Sequence, residues 1–303
     1  MTTHIRLGHS PDPDDAFMFY GLATGALDTA HYQFEHILHD IQTLNDWARQ
    51  GQLEVTALSV HAYPYLADRY AILSSGASMG ATDLVPYLPD PHAPPPFIRP
   101  HTADPALKAQ GPLVVARDPF TLDQLAGRTV AIPGSLTTAF LVLQLAAGRV
   151  DYQVMPFDEI PDAVAQGRCD AGVIIHEGQL TYDRLGLHCV ADLGRWWFER
   201  TGLVLPLGCN VIRRDLGQKA ITQIGNILRR SILFSLEHRY EAVDYALQFA
   251  RDLDHHLADT FVGMYVNEWT VDYGPIGRQA LRELLQQAHQ AHLIPNLPEP
   301  EFV

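Results

Sequence analysis

The residues best suited to chemistry are one histidine and four hydroxyls. His176 follows the apolar run Ala171-Gly172-Val173-Ile174-Ile175 and precedes Glu177-Gly178, so a buried strand delivers an ionisable pair at its carboxyl end. In open α/β sheets that end is where ligands collect. An imidazole titrating near neutrality can take a proton from a carbon beside a carbonyl. The plainer alternative is a core histidine tied off by a backbone hydrogen bond. Thr137 and Thr138 end the turn Pro133-Gly134-Ser135-Leu136-Thr137-Thr138 ahead of an apolar helix, where hydroxyls and backbone N–H groups suit a carboxylate or phosphate. Helix capping competes with that reading. Ser10 opens the loop Pro11-Asp12-Pro13-Asp14-Asp15, whose acids read chiefly as helix caps, and Ser59 stands at the tip of the strand Val55 to Leu58.

The elements that must position these groups occur twice. Gln50-Gly51-Gln52-Leu53-Glu54-Val55-Thr56-Ala57-Leu58-Ser59, followed by Asp68-Arg69, has the layout of Gln166-Gly167 through Ile175-His176, followed by Asp183-Arg184. Upstream, Asp15-Ala16-Phe17 with Leu22-Ala23 and Gly25 matches Thr138-Ala139-Phe140 with Leu145-Ala146 and Gly148. Each copy reads strand, loop, helix, strand, so two related lobes with a cleft between their strand ends are expected, each sheet mostly parallel. Crossings at Ala116 and near Gly208 form a hinge: residues 1–115 and 209–303 make lobe 1, and 116–208 make lobe 2. The segment 83–110, with eight prolines, is an insertion or long loop, either a linker or a flap beside the cleft. Helices are expected over 217–236, 240–250, 257–266 and 275–292.

Composition narrows the function classes. With 35 acidic against 21 basic residues the formal charge is -14, which disfavours a phosphate backbone, so no nucleic acid is expected. No apolar run is long enough for a bilayer and the opening residues lack a signal-peptide core, so no membrane association is expected and the location read is cytoplasmic. Cys169, Cys189 and Cys209 lack a Cys-x-x-Cys pair and read as reduced thiols. Fifteen histidines form no metal-ligand spacing: Leu180 stands where a second histidine after His176-Glu177 would be needed. No metal and no cofactor are expected. The Gly-Ser turn lacks the Gly-Lys pair of a nucleoside triphosphate loop. Trp196-Trp197, Phe198, Trp269 and Tyr273 suit either an aromatic ligand or plain core.

The ordered set His9-Ser10-Pro11-Asp12-Pro13-Asp14-Asp15-Ala16-Phe17-Met18-Phe19-Tyr20, Gly111-Pro112-Leu113-Val114-Val115-Ala116-Arg117, Ile174-Ile175-His176-Glu177, Arg200-Thr201-Gly202-Leu203 and Pro206-Leu207-Gly208 resembles the 1,4-dihydroxy-6-naphthoate synthases of the futalosine route to menaquinone. The resemblance spans nearly the whole chain outside 83–110. It implies the two-lobed fold of type II periplasmic binding proteins, serving as a cytosolic enzyme. It also implies conversion of cyclic dehypoxanthinyl futalosine to 1,4-dihydroxy-6-naphthoate by carbon–carbon cleavage. His176 matches the family's base, Thr137 and Thr138 its hydroxyl-bearing ligand loop, and Ser10 and Ser59 its other cleft loops. The partner implied is a small aromatic carboxylate; a homodimer is left open. Departures are the Pro-rich insertion and the acidity of residues 12–15 beside a carboxylate substrate. Rival readings are chorismate dehydratase, which shares the fold, a solute-binding protein of a transporter, and the ligand-sensing domain of a regulator.

Overall fold

The computed structural model describes residues 2–88, 109–250 and 253–303. Most of the Pro-rich segment lies outside the described residues. In chain order the strands are β1 (Thr3–His9), β2 (Tyr32–Leu38), β3 (Val55–Ser59), β4 (Tyr70–Ile72), β5 (Ser78–Gly80), β6 (Leu113–Ala116), β7 (Thr129–Ile132), β8 (Asp151–Val154), β9 (Ala171–Ile174), β10 (His188–Asp192) and β11 (Leu205–Arg213). The helices are α1 (Pro13–Met18), α2 (Tyr20–Ala23), α3 (Ile41–Gln50), α4 (Thr138–Ala147), α5 (Ile160–Ala165), α6 (Leu193–Thr201), α7 (Gln218–Glu237), α8 (Arg239–Ala246), α9 (His255–Tyr265), α10 (Glu268–Val271) and α11 (Gly274–Gln290).

Two sheets carry the molecule, and their orders repeat. The first runs β2-β1-β3-β11-β4 with β5 on β11; the second, read from its far edge, runs β8-β7-β9-β6-β10. Thus β1, β2, β3 and β4 correspond to β7, β8, β9 and β10 in sequence and in space. The duplicated helix stops also agree: Gly51 after α3 and Gly167 after α5 have φ of 72° and 74°, the left-handed conformation that only glycine adopts without steric cost.

In each sheet one strand breaks the parallel pattern. β1 pairs parallel with β2 and β3, and β7 with β8 and β9. β11 is antiparallel to β3, β4 and β5, and β6 is antiparallel to β9 and β10. The expectation of mostly parallel sheets is therefore corrected to mixed sheets. The physical reason is the chain path: β6 and β11 are the strands entering from the opposite half, so they start at the cleft side and run away from it.

The crossings also fall earlier in the chain than the sequence suggests. β6 already belongs to the second sheet at Leu113, and β11 to the first at Leu205, so the sheets draw on residues 3–80 with 205–213 and on 113–192. The crossing segments touch at Gly111 and Gly194, where a Cβ on Gly194 would strike the Gln110 carbonyl. Glycine is required there for close approach rather than for φ.

Core burial explains the aromatic residues. Trp197, Trp269 and Tyr273 are fully buried, Trp197 Nε1 donates to the Val204 carbonyl at 2.9 Å, and Trp196 and Phe198 pack on the same cluster. Their role is core. Among the described residues no helix is long and apolar enough to cross a membrane.

Candidate active site

The carboxyl ends of β1, β3, β7 and β9 converge on one cavity of about 120 Å³. Ser10, Ser59, Thr137, Thr138 and Ile175 line it, with one contribution or more from each strand end. Four of the five residues singled out from sequence therefore share a pocket. The cavity is below the roughly 300–1,000 Å³ usual for small-molecule sites, so the halves stand close together in this state.

Side chains of the first half hold the turn of the second half directly. Gln42 Oε1 accepts from the Leu136 N–H at 2.9 Å, and Asn45 Nδ2 donates to the Leu136 carbonyl at 3.4 Å. His61 Nδ1 lies 3.2 Å from the Thr137 carbonyl, and the His61 N–H donates to Thr138 Oγ1 at 3.2 Å. Burial pushes His61 below its ordinary pKa, so the ring is neutral and donates through Nδ1–H.

The pocket has two poles. At one, α4 begins: Thr137 caps it by accepting from the Phe140 N–H, and its own hydroxyl donates to the Gly134 carbonyl. Thr138 Oγ1 donates to the Leu207 carbonyl at 2.6 Å. The hydroxyl hydrogens are thereby committed within the protein, whereas the N–H groups of Thr138 and Ala139, first in the helix, have no intrahelical acceptor, and both residues line the cavity. This pole suits an anion.

The other pole is acidic. Ser10 donates through N–H to Asp15 Oδ2 at 2.7 Å and through Oγ to Asp12 Oδ2 at 2.8 Å, so Ser10 has no donor left for an anionic ligand. Asp12 stands at the helix start without a side-chain cap bond, and Asp12 and Asp15 hold Ser10 instead, which corrects the capping expectation for these two acids. Asp14 keeps part of its surface open to the pocket, and desolvation with the charges of Asp15 and Asp12 raises it well above the usual carboxylate range. Burial pushes Asp15 up to about 7. Behind the loop, His9 Nδ1 meets the Ser10 carbonyl at 3.1 Å and Nε2 meets His36 Nδ1 at 3.0 Å, while burial drives His9 down to about 3.

His176 lies one residue beyond pocket-lining Ile175 and does not itself line that cavity. It is buried, Nδ1 accepts from the Gly178 N–H at 2.8 Å, and Nε2 meets the Phe157 carbonyl at 3.1 Å. These partners require a neutral ring with its hydrogen on Nε2. Glu177 Oε2 is 3.7 Å from Nδ1. The residue lines a separate cavity of about 390 Å³ with Asp158, Asp162 and Arg184.

Sequence reasoning missed several polar pocket residues, among them Asp14, Tyr265 and Asn210. Asp14 was absorbed into the helix start; Tyr265, whose hydroxyl donates to Gln179 Oε1 at 2.7 Å, and Asn210 arrive from distant elements with no local signal.

Comparisons with known proteins agree with this architecture. The chain is 41% identical over 300 residues, 99% of each chain, to 1,4-dihydroxy-6-naphthoate synthase of Thermus thermophilus. A crystal structure of an Archaeoglobus fulgidus protein is similar at TM-score 0.83 and 42% identity, covering 96% of this chain and 98% of that one. The ligand-binding component of an ABC-type import system from Staphylococcus aureus shares the fold at TM-score 0.69 and 14% identity, over 100% and 97% of the chains. The fold is thus the two-lobed, periplasmic-binding-protein-like one. A family model described as menaquinone biosynthesis matches residues 5–83 and 107–290, and with these full-length relatives it shows that the chain belongs to the menaquinone biosynthesis family.

Proposed function

We propose that the chain is a 1,4-dihydroxy-6-naphthoate synthase: a carbon–carbon lyase that converts cyclic dehypoxanthinyl futalosine to 1,4-dihydroxy-6-naphthoate with help from a protein base. The observation that carries this reading is the two-poled cleft of a chain from this family. The substrate carboxylate sits on the open N–H groups of Thr138 and Ala139, where the helix dipole favours negative charge, and away from Asp12, Asp14 and Asp15. Thr137 and Thr138 shape that seat through their internal bonds, and Ser59 offers its hydroxyl from the facing strand end. The base is His176, whose lone pair on Nδ1 is held by Gly178 N–H until substrate draws the ring toward the cleft. The site of action read for this enzyme is the cytoplasm.

A second reading of the base is favoured by one observation. Asp14 already lines the pocket, and a carboxylate raised well above its usual range is a stronger proton acceptor than an ordinary one. The test is turnover of cyclic dehypoxanthinyl futalosine by the purified protein, with the naphthoate product detected chromatographically. Product formation, without turnover of chorismate, is expected; no product, or dehydration of chorismate instead, overturns the assignment. His176→Asn and Asp14→Asn then separate the bases, because the variant lacking the true base loses the rise of rate with pH.

A further inference from the structure

Asn210 is a polar residue in the core of the hinge-side strand. It lies on β11 opposite Ala57 of β3, is 1% exposed, and lines the cleft cavity. Its Nδ2 is buried and has no hydrogen-bond partner among the described residues. Burying such a donor unsatisfied costs ~1–3 kcal/mol, and native proteins keep few of them. The site is also shaped around the amide: Gly76, at φ +87°, lines the same pocket, and a Cβ there would collide with Asn210 Nδ2.

We infer that the Asn210 amide is a specificity-determining donor, which binds a neutral acceptor oxygen of the substrate, a carbonyl or hydroxyl. A carboxylate is the poorer fit. The open N–H pair of α4 provides for that group, and Asp14 in the same pocket would repel a second anion when ionised. The inference rests on the proposed activity for the identity of the substrate, but the orphaned amide and its glycine are observations independent of it.

The test uses Asn210→Leu, near in shape and without the amide, and Asn210→Ala as a second variant. A donor kept for the substrate is a cost to the free enzyme, so the unliganded melting temperature of Asn210→Leu should equal or exceed that of wild type. At the same time kcat/KM for cyclic dehypoxanthinyl futalosine should fall ~10- to 100-fold, the loss expected when a buried polar contact to substrate is unmade. A lower melting temperature in both variants, whatever the kinetics, makes the amide structural and overturns the inference; an unchanged kcat/KM does so too. Failure of the proposed activity shows separately as an inactive wild type, and the unliganded melting comparison then still decides the case of Asn210.

Discussion

Ser59 and His176 leave the carboxyl ends of β3 and β9, matching strands in two copies of one unit, but one register place apart: Gly51 and Gly167 align Ser59 with Ile175, which also lines the cavity, and His176 with Val60. Ser59 faces the cleft: its N–H donates to Asn45 Oδ1 at 2.9 Å, its Oγ accepts from Asn45 Nδ2 at 3.0 Å, and it lines the cavity. His176 turns from the cavity and closes a local loop through Gly178 and Phe157. Duplication therefore conserves which position faces the cleft, and one step along the extended chain turns a side chain away from it. The first loops of the two copies differ in their donors. After β7 the helix α4 opens with N–H groups that have no intrahelical acceptor, whereas after β1 Asp15 and Asp12 take both donors of Ser10.

The largest effect expected is on His176. His176→Asn should lower turnover by ~100- to 10,000-fold, the usual worth of one positioned base, with the melting temperature nearly kept. Near wild-type turnover by a folded variant would make the ring purely structural and transfer the role to Asp14. That result would end the functional asymmetry argued between β3 and β9.

The threonines come next. Because both hydroxyls are bonded within the protein, the Thr137→Val, Thr138→Val double variant should lose ~1–3 kcal/mol of stability in denaturant titration. Ligand affinity measured by calorimetry should fall by less, since the Thr138 and Ala139 N–H groups survive. The reverse order, a large loss of affinity at full stability, would place the carboxylate on the hydroxyls.

A smaller effect is expected at Ser59. Ser59→Ala removes one hydroxyl from the cleft and one acceptor from Asn45, and kcat/KM should drop about tenfold or less, as befits one neutral hydrogen bond. A loss as deep as that of His176→Asn would reverse the comparison.

The smallest is a change in the pH dependence of stability at the Ser10 loop. His9, driven from 6.5 to about 3, contributes stability that is present above its ordinary value and is lost as pH falls toward 3. Asp15, raised from 3.8 to about 7, acts with opposite sign: its contribution is present below the ordinary value and is lost as pH rises through 7. The two oppose each other between about 4 and 6.5. Asp15→Asn should therefore make the melting temperature climb more steeply with pH across that window than it does in wild type. An unchanged slope would show that the loop titrates as a unit without these separate parts.

Much of the fold was legible because the signals are local. Alternating or continuous apolar runs marked β1, β2, β3, β7 and β9, and glycines at 51 and 167 marked helix stops, since positive φ is a property of one residue. β8 and β10 escaped notice. β8 is exposed along its whole length at one sheet edge, β10 is without a buried residue at the other, and their strand character comes from the neighbours they pair with. The hinge was placed a few residues late because sheet membership of β6 and β11 is settled by pairing partners far away in sequence.

By itself the sequence determined the duplicated unit, the strand ends that deliver Ser10, Ser59, Thr137 and Thr138, and the sign of charge at each loop, because spacing and residue type act through neighbours along the chain. Only the tertiary structure decided that the threonine hydroxyls donate to the Gly134 and Leu207 carbonyls, that His176 is tied to Phe157, and that Asp14, Tyr265 and Asn210 line the same cavity. Those outcomes depend on which distant carbonyls, carboxylates and glycines come within hydrogen-bond reach when the two halves meet, and that distance in space has no counterpart in distance along the chain.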